Sequence, residues 1–223
     1  HSFRWCSLTM KSTAIVTASF APDLERCRLL CETMDRHVTG FSKHYILVES
    51  ADVGLFKQLE GPNRIIVDEM DLFPKWIRAY PDPLHLFRRR IWLSLRTLPL
   101  RGWHAQQLRR IAIAEHINED ALFYCDSDVA FMRRFDCSSL WRDDELRLFR
   151  RDKELLGPVP GDQKLWADNA AMLLGIPDGQ LSAHGYVGTL VAWKRELVLS
   201  MCRRIEQVQG RHWLEAIGRN RRF

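Results

Sequence analysis

A repeated order of short apolar runs, each closing on polar or acidic residues and followed by a stretch at helical spacing, most constrains what this chain can fold into. "STAIVTAS" carries a β-branched run from Ala14 to Ala18, and Pro22 and Asp23 behind it open a helix. That helix, "LERCRLLCETMDRHV", has its apolar residues on one face, with Asp23 in its first turn. "HYILVES" then reads as a second strand ending at Glu49, "VGLFKQLE" as a short helix, and "NRIIVDEM" as a third strand ending at Asp68 and Glu69. Strand, helix, strand, helix, strand calls for a mostly parallel sheet with helices packed on it, an α/β fold. The 223 residues suffice for one such domain with a proper core, so 1–223 is read as a single domain. His1 and Ser2 look like a tag remnant.

From Asp71 to Gly102 the order breaks. This excursion is rich in proline, aromatics and arginine, and its segment Leu86 to Leu95 predicts one helix, apolar on one side and basic on the other. Such a helix either covers the core or faces a membrane or an acceptor. "WHAQQLRRIAIAEHI" is a further helix and leads into a fourth strand, "ALFYC". Beyond it "DELRLFR" reads as a strand, "DQKLWADNAAMLLG" as a helix closed by Gly175, "YVGTLVAW" as a strand, and "KRELVLSMCRRIEQVQG" as an amphipathic helix closed by glycine.

Charge and cysteine usage narrow the partners. Lys and Arg number 33 against 28 Asp and Glu, a net charge of +5. That mild excess suits a nucleoside diphosphate or an anionic membrane surface; the basic residues are scattered, with one triplet at Arg88, Arg89 and Arg90, and do not indicate nucleic acid. Six cysteines follow neither a metal-finger nor a secreted-scaffold pattern, which points to a reducing, cytoplasmic setting. Cys27 and Cys31, spaced i, i+4, are neighbours on one helix face, and Cys125 lies in the apolar fourth strand. No secretion signal and no apolar run of about 18 residues appears.

The fourth strand ends in Asp126-Ser127-Asp128 and returns at once to apolar "VAF". Two carboxylates so close, flanked by core, are costly unless something positive neutralises them. Strand alternation places Asp126 and Asp128 on one face with Ser127 turned away, a half-site for a hard divalent cation such as Mg²⁺ or Mn²⁺ that leaves positions open for phosphate oxygens. The plainer reading is a strand-end turn whose acids pair with Arg133 and Arg134.

"FYCDSDVAF" resembles the Asp-x-Asp signature of the GT-A nucleotide-sugar glycosyltransferases. With "AIVTAS", "ILVES", "GWHAQQLRRIAIAEHI" and the C-terminal "NAAMLLG…VGTLVAWKRE", the chain is similar to a bacterial, DUF6492-like subgroup from about Thr13 onward. The resemblance implies a GT-A, Rossmann-like domain, a UDP-sugar or other nucleoside-diphosphate-sugar donor, a saccharide or lipid-linked acceptor, and Mn²⁺ or Mg²⁺. Carried over by position, Asp126 and Asp128 bind the metal and Ser127 the donor; Thr17 and Ser19 border the nucleoside, and Glu49 contacts the base. Gln107 and Arg110, one helical step apart, face the diphosphate, where an arginine clamps phosphate bidentately; a solvated helix face is the alternative for both. Asp168, on a helix beside a tryptophan, is the candidate general base or else an acid of the helix's first turn. His184 is a candidate third metal ligand or else a loop histidine. The resemblance also implies an acidic-aromatic segment after "RNRRF", carrying part of the acceptor side.

Two rivals remain. Haloacid-dehalogenase-type phosphatases also use Asp-x-Asp after an apolar strand, but with Thr or Val where this chain has Ala130, and usually near the chain start. A non-enzymatic basic module would use the arginine-rich excursion and tail to bind anionic lipid or nucleic acid. The glycosyltransferase reading places the protein in the cytoplasm, with peripheral contact at the anionic inner face of the membrane as an option.

Overall fold

The computed structural model describes residues 11–86, 89–157, 162–177 and 180–220. His1, Ser2, Cys6, Arg88 and the end of the "RNRRF" segment (221–223) lie outside the described residues. In chain order the elements begin with β1 (Thr13–Ala18), α1 (Leu24–His37), β2 (Val38–Thr39), β3 (Lys43–Val48), α2 (Val53–Phe56), β4 (Arg64–Asp68) and α3 (Glu69–Leu72). The excursion forms β5 (Arg78–Pro81), β6 (Arg90–Leu93) and β7 (Leu100–Arg101), and α4 (Gly102–Ala112) follows. The second half holds β8 (Ala121–Cys125), β9 (Phe135–Asp136), β10 (Trp141–Arg142), β11 (Glu145–Leu146), α5 (Gln163–Leu174), β12 (Leu190–Lys194), α6 (Arg195–Gln209) and α7 (Trp213–Gly218).

The central sheet runs β12-β8-β1-β3-β4, parallel except for β12, which pairs antiparallel with β8. Its strands read as unbroken apolar runs because both faces are covered. Ala14, Val16 and Ala18 of β1 lie on one face with Leu122 and Tyr124 of β8, under Leu108 of α4, Val198 and Cys202 of α6, and Leu214 of α7. Ile15, Phe123 and Cys125 lie on the other, against Leu30 and Met34 of α1. Each fully buried side chain of this size contributes about 1.5–3 kcal/mol. Helices α5 and α6 end as expected at Gly175 and Gly210, both in the left-handed region at φ 65° and 63°.

The predicted helix from Leu86 to Leu95 is not there. Its apolar run is short enough to suit either element, and pairing decides for a strand: β6 sits between β5 and β7 in a three-stranded antiparallel sheet. Ile91 and Trp92 of β6 are both buried, and the Trp92 indole N–H donates to Glu69 at 2.8 Å. The C-terminal helix α7 docks on this excursion: Leu98 N–H donates to the Gly218 carbonyl at 3.2 Å, and Arg219 Nε to that of Arg96 at 2.8 Å. "DELRLFR" supplies only β11, in a small hairpin with β10.

One further pairing bears on the site. β2, which directly follows α1, runs parallel to β9, which follows the Asp-Ser-Asp turn. At that junction Gly40 adopts φ 72°, and a Cβ there would lie 2.1 Å from Asp136 Oδ1.

Candidate active site

In the order β12-β8-β1-β3-β4 the chain moves outward from β1 to β3 and β4, then returns to add β8 on the other side. The strand order thus reverses between β1 and β8, and in open α/β sheets ligands bind in the crevice beyond the C-terminal strand ends at such a point. The residues there are Ser19 after β1 and Asp126-Ser127-Asp128 after β8.

β8 stops at Cys125, so the acidic triplet lies in a turn and strand alternation no longer applies to it. The turn is closed by Val129 N–H donating to the Asp126 carbonyl at 3.4 Å, while Asp126 N–H reaches Thr189 at 3.3 Å. The two carboxylates differ sharply. Asp126 is half-buried and accepts from Arg110 Nη2 at 2.5 Å; Asp128 is exposed, not enclosed by core as its flanks suggested, and Ser127 is the buried member at 7% exposure. The positive partner of Asp126 is therefore Arg110 of α4 rather than the exposed Arg133 or Arg134. Arg110 is itself positioned through its carbonyl, which accepts from the buried Tyr124 hydroxyl at 3.0 Å. A carboxylate held this way is poorly placed as the free nucleophile that a phosphatase of the haloacid-dehalogenase type requires.

The neighbouring Arg109 escaped the sequence reading. It is 5% exposed, forms an ion pair with Glu69 at 3.0 Å, and donates through Nη2 to the Ser19 carbonyl at 3.2 Å. Successive arginines on α4 thus brace both sides of the crevice, Arg109 the end of β1 and Arg110 the turn after β8. The signal was available: Arg109 occupies the same buried stripe as Ala105, Leu108 and Ala112. Glu69, fully buried, also accepts from Trp92, and burial pushes its carboxyl up to about 7 despite the nearby Arg109. Glu49, half-buried, is raised by burial and by Asp52, against the pull of Arg109 and Arg90. Arg90 comes from β6, so the excursion brings a positive charge towards Glu49 from a strand and not from the predicted helix.

The other predicted site residues divide. Ser19 is at the crevice, 1% exposed, with its N–H on the Leu47 carbonyl at 3.0 Å. Thr17 is not: its hydroxyl is fully buried and bonds to His44 Nε2 at 3.0 Å, inside a polar chain that continues through Arg64 to Asp35. A threonine near a strand end here satisfies an interior histidine. Gln107 lies half-buried on α4, one turn before Arg110. Asp168 is exposed midway along α5. His184 does not join the two aspartates: its Nδ1 accepts from Lys153 N–H at 3.1 Å and lies 3.4 Å from Asp152, which ties together a surface loop.

Among the described residues no three His, Cys, Asp or Glu side chains converge as a metal cage. Asp126 and Asp128 supply hard oxygen ligands on one turn. This set fits Mg²⁺ or Mn²⁺ as a partial shell, since such ions are commonly held by one or two carboxylates with water and phosphate oxygens completing the coordination. No helix among the described residues is long and apolar enough to cross a membrane. The five cysteines in that set are free.

Among solved structures, the chain is similar to the galactosyltransferase LgtC in complex with donor and acceptor sugar analogues. The identity is 14% and the TM-score 0.44, over 92% of this chain and 69% of that one. It is also similar to the glycosyltransferase GlyE of Streptococcus pneumoniae TIGR4, at 15% identity and TM-score 0.45, over 89% of this chain but only 38% of the GlyE chain. No curated protein matches the sequence. A family match covers residues 9–223 almost without remainder, and the chain belongs to that family, DUF6492, a family of unknown function.

Proposed function

We propose that this protein is a glycosyltransferase that moves a sugar from a nucleoside-diphosphate-sugar donor, with UDP favoured, to a saccharide or lipid-linked acceptor. The observation that carries the reading is the pairing of the Asp126-Ser127-Asp128 turn with Arg110 at the strand-order reversal, opposite Ser19 held by Arg109. Phosphate-bearing ligands favour this position, and the Arg110 guanidinium beside two carboxylates suits a diphosphate bound together with a cation.

In this reading Asp126 and Asp128 hold Mn²⁺ or Mg²⁺, which when bound supplies Lewis-acid polarisation of the diphosphate oxygens. Arg110 holds Asp126 at the crevice, and in this reading it also shares the charge that grows on the departing diphosphate. Arg109 and Glu69 fix the Ser19 backbone, so the nucleoside end of the donor meets a rigid edge. Glu49, half-buried near Arg109 and Arg90, is the residue this reading gives to a base N–H.

Calorimetric titration of UDP with Mn²⁺, and again with EDTA, tests the proposal on wild type and on Asp128→Asn. Asp128 is exposed, so its substitution leaves the fold intact. Binding that needs both the cation and Asp128 is expected. If neither UDP nor GDP binds under either condition, the proposal is wrong.

A further inference from the structure

The arginine-rich excursion has an outer face that the donor site does not use. β5 and β6 pair with Arg78 opposite Leu93 and Tyr80 opposite Ile91, and β6 and β7 with Ile91 opposite Arg101. Directly opposed residues share a face, so one side of this sheet carries Arg78, Tyr80, Ile91, Leu93 and Arg101. The other side carries Ala79, Trp92 and Leu100, which join the main core. Tyr80 and Leu93 are exposed on the outer side.

The turn between β5 and β6 adds Leu84 and Leu86, each 77% exposed, and Leu95 just after β6 is fully exposed. The turn is fixed in place. Asp82, fully buried, accepts from Arg101 Nε at 2.7 Å and from Leu84 N–H at 3.0 Å, and its own N–H donates to the Arg89 carbonyl at 2.7 Å. Arg101 lies on the outer face, so this bond ties the turn to that side of the sheet. Leu86 adopts φ 50°, the left-handed region that leucine rarely enters, and its side chain still stays in water. Four exposed leucines and a tyrosine between Tyr80 and Leu95 exceed the scattered apolar residues normal for a surface.

Charge identifies the partner. Residues 72–101 hold seven Lys and Arg against one acid, Asp82, a net of +6 in a chain whose total is +5, so everything else sums to −1. Asp82 is buried and occupied by Arg101, and Arg90 acts on Glu49 of the crevice. Lys75, Arg78, Arg89 and Arg96 are exposed. Nucleic acid would answer the charge but leave the leucines in water, and a protein interface concentrates apolar residues at a centre depleted of charge. A bilayer surface takes both. Projecting leucines enter the acyl boundary, and arginine stems lie along the apolar layer with their heads at the lipid phosphates.

We propose that the outer face of the β5–β6–β7 sheet, with the turn that carries Leu84 and Leu86, docks on an anionic lipid bilayer. This surface stands apart from the proposed glycosyltransferase function, and either can fail without the other. Trp92, on the inner face of the same sheet, donates to Glu69 in the crevice, so one layer of backbone separates the lipid-facing surface from the charged centre.

The test is co-sedimentation of the full chain with vesicles of phosphatidylcholine alone, or mixed with an equal amount of phosphatidylglycerol, at about 0.1 M and about 0.5 M salt. Wild type is compared with Arg78→Ala/Arg89→Ala, with Leu84→Ser/Leu86→Ser, and with a control, Arg26→Ala/Arg36→Ala, on α1 across the central sheet. The substituted side chains are all exposed, so each variant keeps the fold, which thermal melts check. Wild type should bind the anionic vesicles and lose most of that binding at the higher salt. One basic residue near such a surface is worth about fivefold in partitioning, so the arginine pair should lose about tenfold or more. The leucine pair should lose about as much, and the control no more than about twofold.

No binding of wild type to anionic vesicles at the lower salt overturns the proposal, as does equal binding by wild type and the arginine pair. So does wild-type binding by the leucine pair, which would leave the leucines outside the lipid. A control that falls as far as the arginine pair makes the attraction a property of total charge and overturns this face as its source. Sedimentation velocity without vesicles covers the remaining occupant: a wild-type dimer that the leucine pair abolishes gives the face to a second copy of the chain and overturns the bilayer.

Discussion

Replacing Glu69 by Gln probes the charged centre of the crevice. In the fold its carboxyl sits at about 7 instead of the ordinary 4.5, mainly because it is buried. The protonated form is therefore favoured on folding. The associated stability is fully present below pH 4.5 and is lost as pH rises through 7. A displacement of this size corresponds to about 3 kcal/mol in all, of which roughly 2–3 kcal/mol falls between pH 5 and pH 8. Glu69→Gln keeps the acceptor for Trp92 and mimics the protonated acid, so it lacks this slope. Urea unfolding of both proteins at pH 5, 6, 7 and 8 reads the difference; wild type should lose about 2–3 kcal/mol relative to the variant across that range. Comparing the two proteins removes the titrations they share, with Glu49 and Arg109 the groups that face Glu69 directly. Parallel stability profiles would refute the reasoning. A difference of the opposite sign would mean that the guanidinium of Arg109, 3.0 Å away, outweighs burial and keeps Glu69 ionised throughout.

Two stability predictions follow from packing. Gly40→Ala should cost about 1–3 kcal/mol, because φ 72° disfavours any Cβ and this one would lie 2.1 Å from Asp136 Oδ1; an unchanged melting temperature would contradict it. Leu108→Ala, at a fully buried position of α4, should cost about 2–5 kcal/mol by denaturant unfolding, while Asp128→Asn stays within about 0.5 kcal/mol.

The central strands and the long helices were legible because their burial pattern is written directly in residue type. β1, β3 and β8 are covered on both faces and so read as continuous apolar runs, and α4 and α6 carry a one-sided stripe. The excursion was not legible: "RIWL" suits strand or helix alike, and only its pairing with β5 and β7, on either side of it in the chain, decides between them. Within the site, the Asp-Ser-Asp turn announced itself through the cost of clustered charge. What its charges pair with did not, because Arg109 and Arg110 are adjacent and only the folded helix sends one to Glu69 and the other to Asp126. Thr17 shows the reverse failure: a polar residue near a strand end looks like a ligand contact, and its actual partner, His44, lies on a neighbouring strand.

The parallel pairing of β2 with β9 bears on how readily the acidic turn is put to use. Val38 and Thr39 leave α1 and engage Phe135 and Asp136, so the segment between Cys125 and Phe135 is fastened to the sheet at one end and to the first helical unit at the other. A loop with both ends anchored samples few arrangements, and Arg110 removes more by holding Asp126. A ligand arriving at this turn has little backbone left to order. More of its contact energy then appears as affinity, and in the proposed function the two carboxylates take up a cation without a folding step.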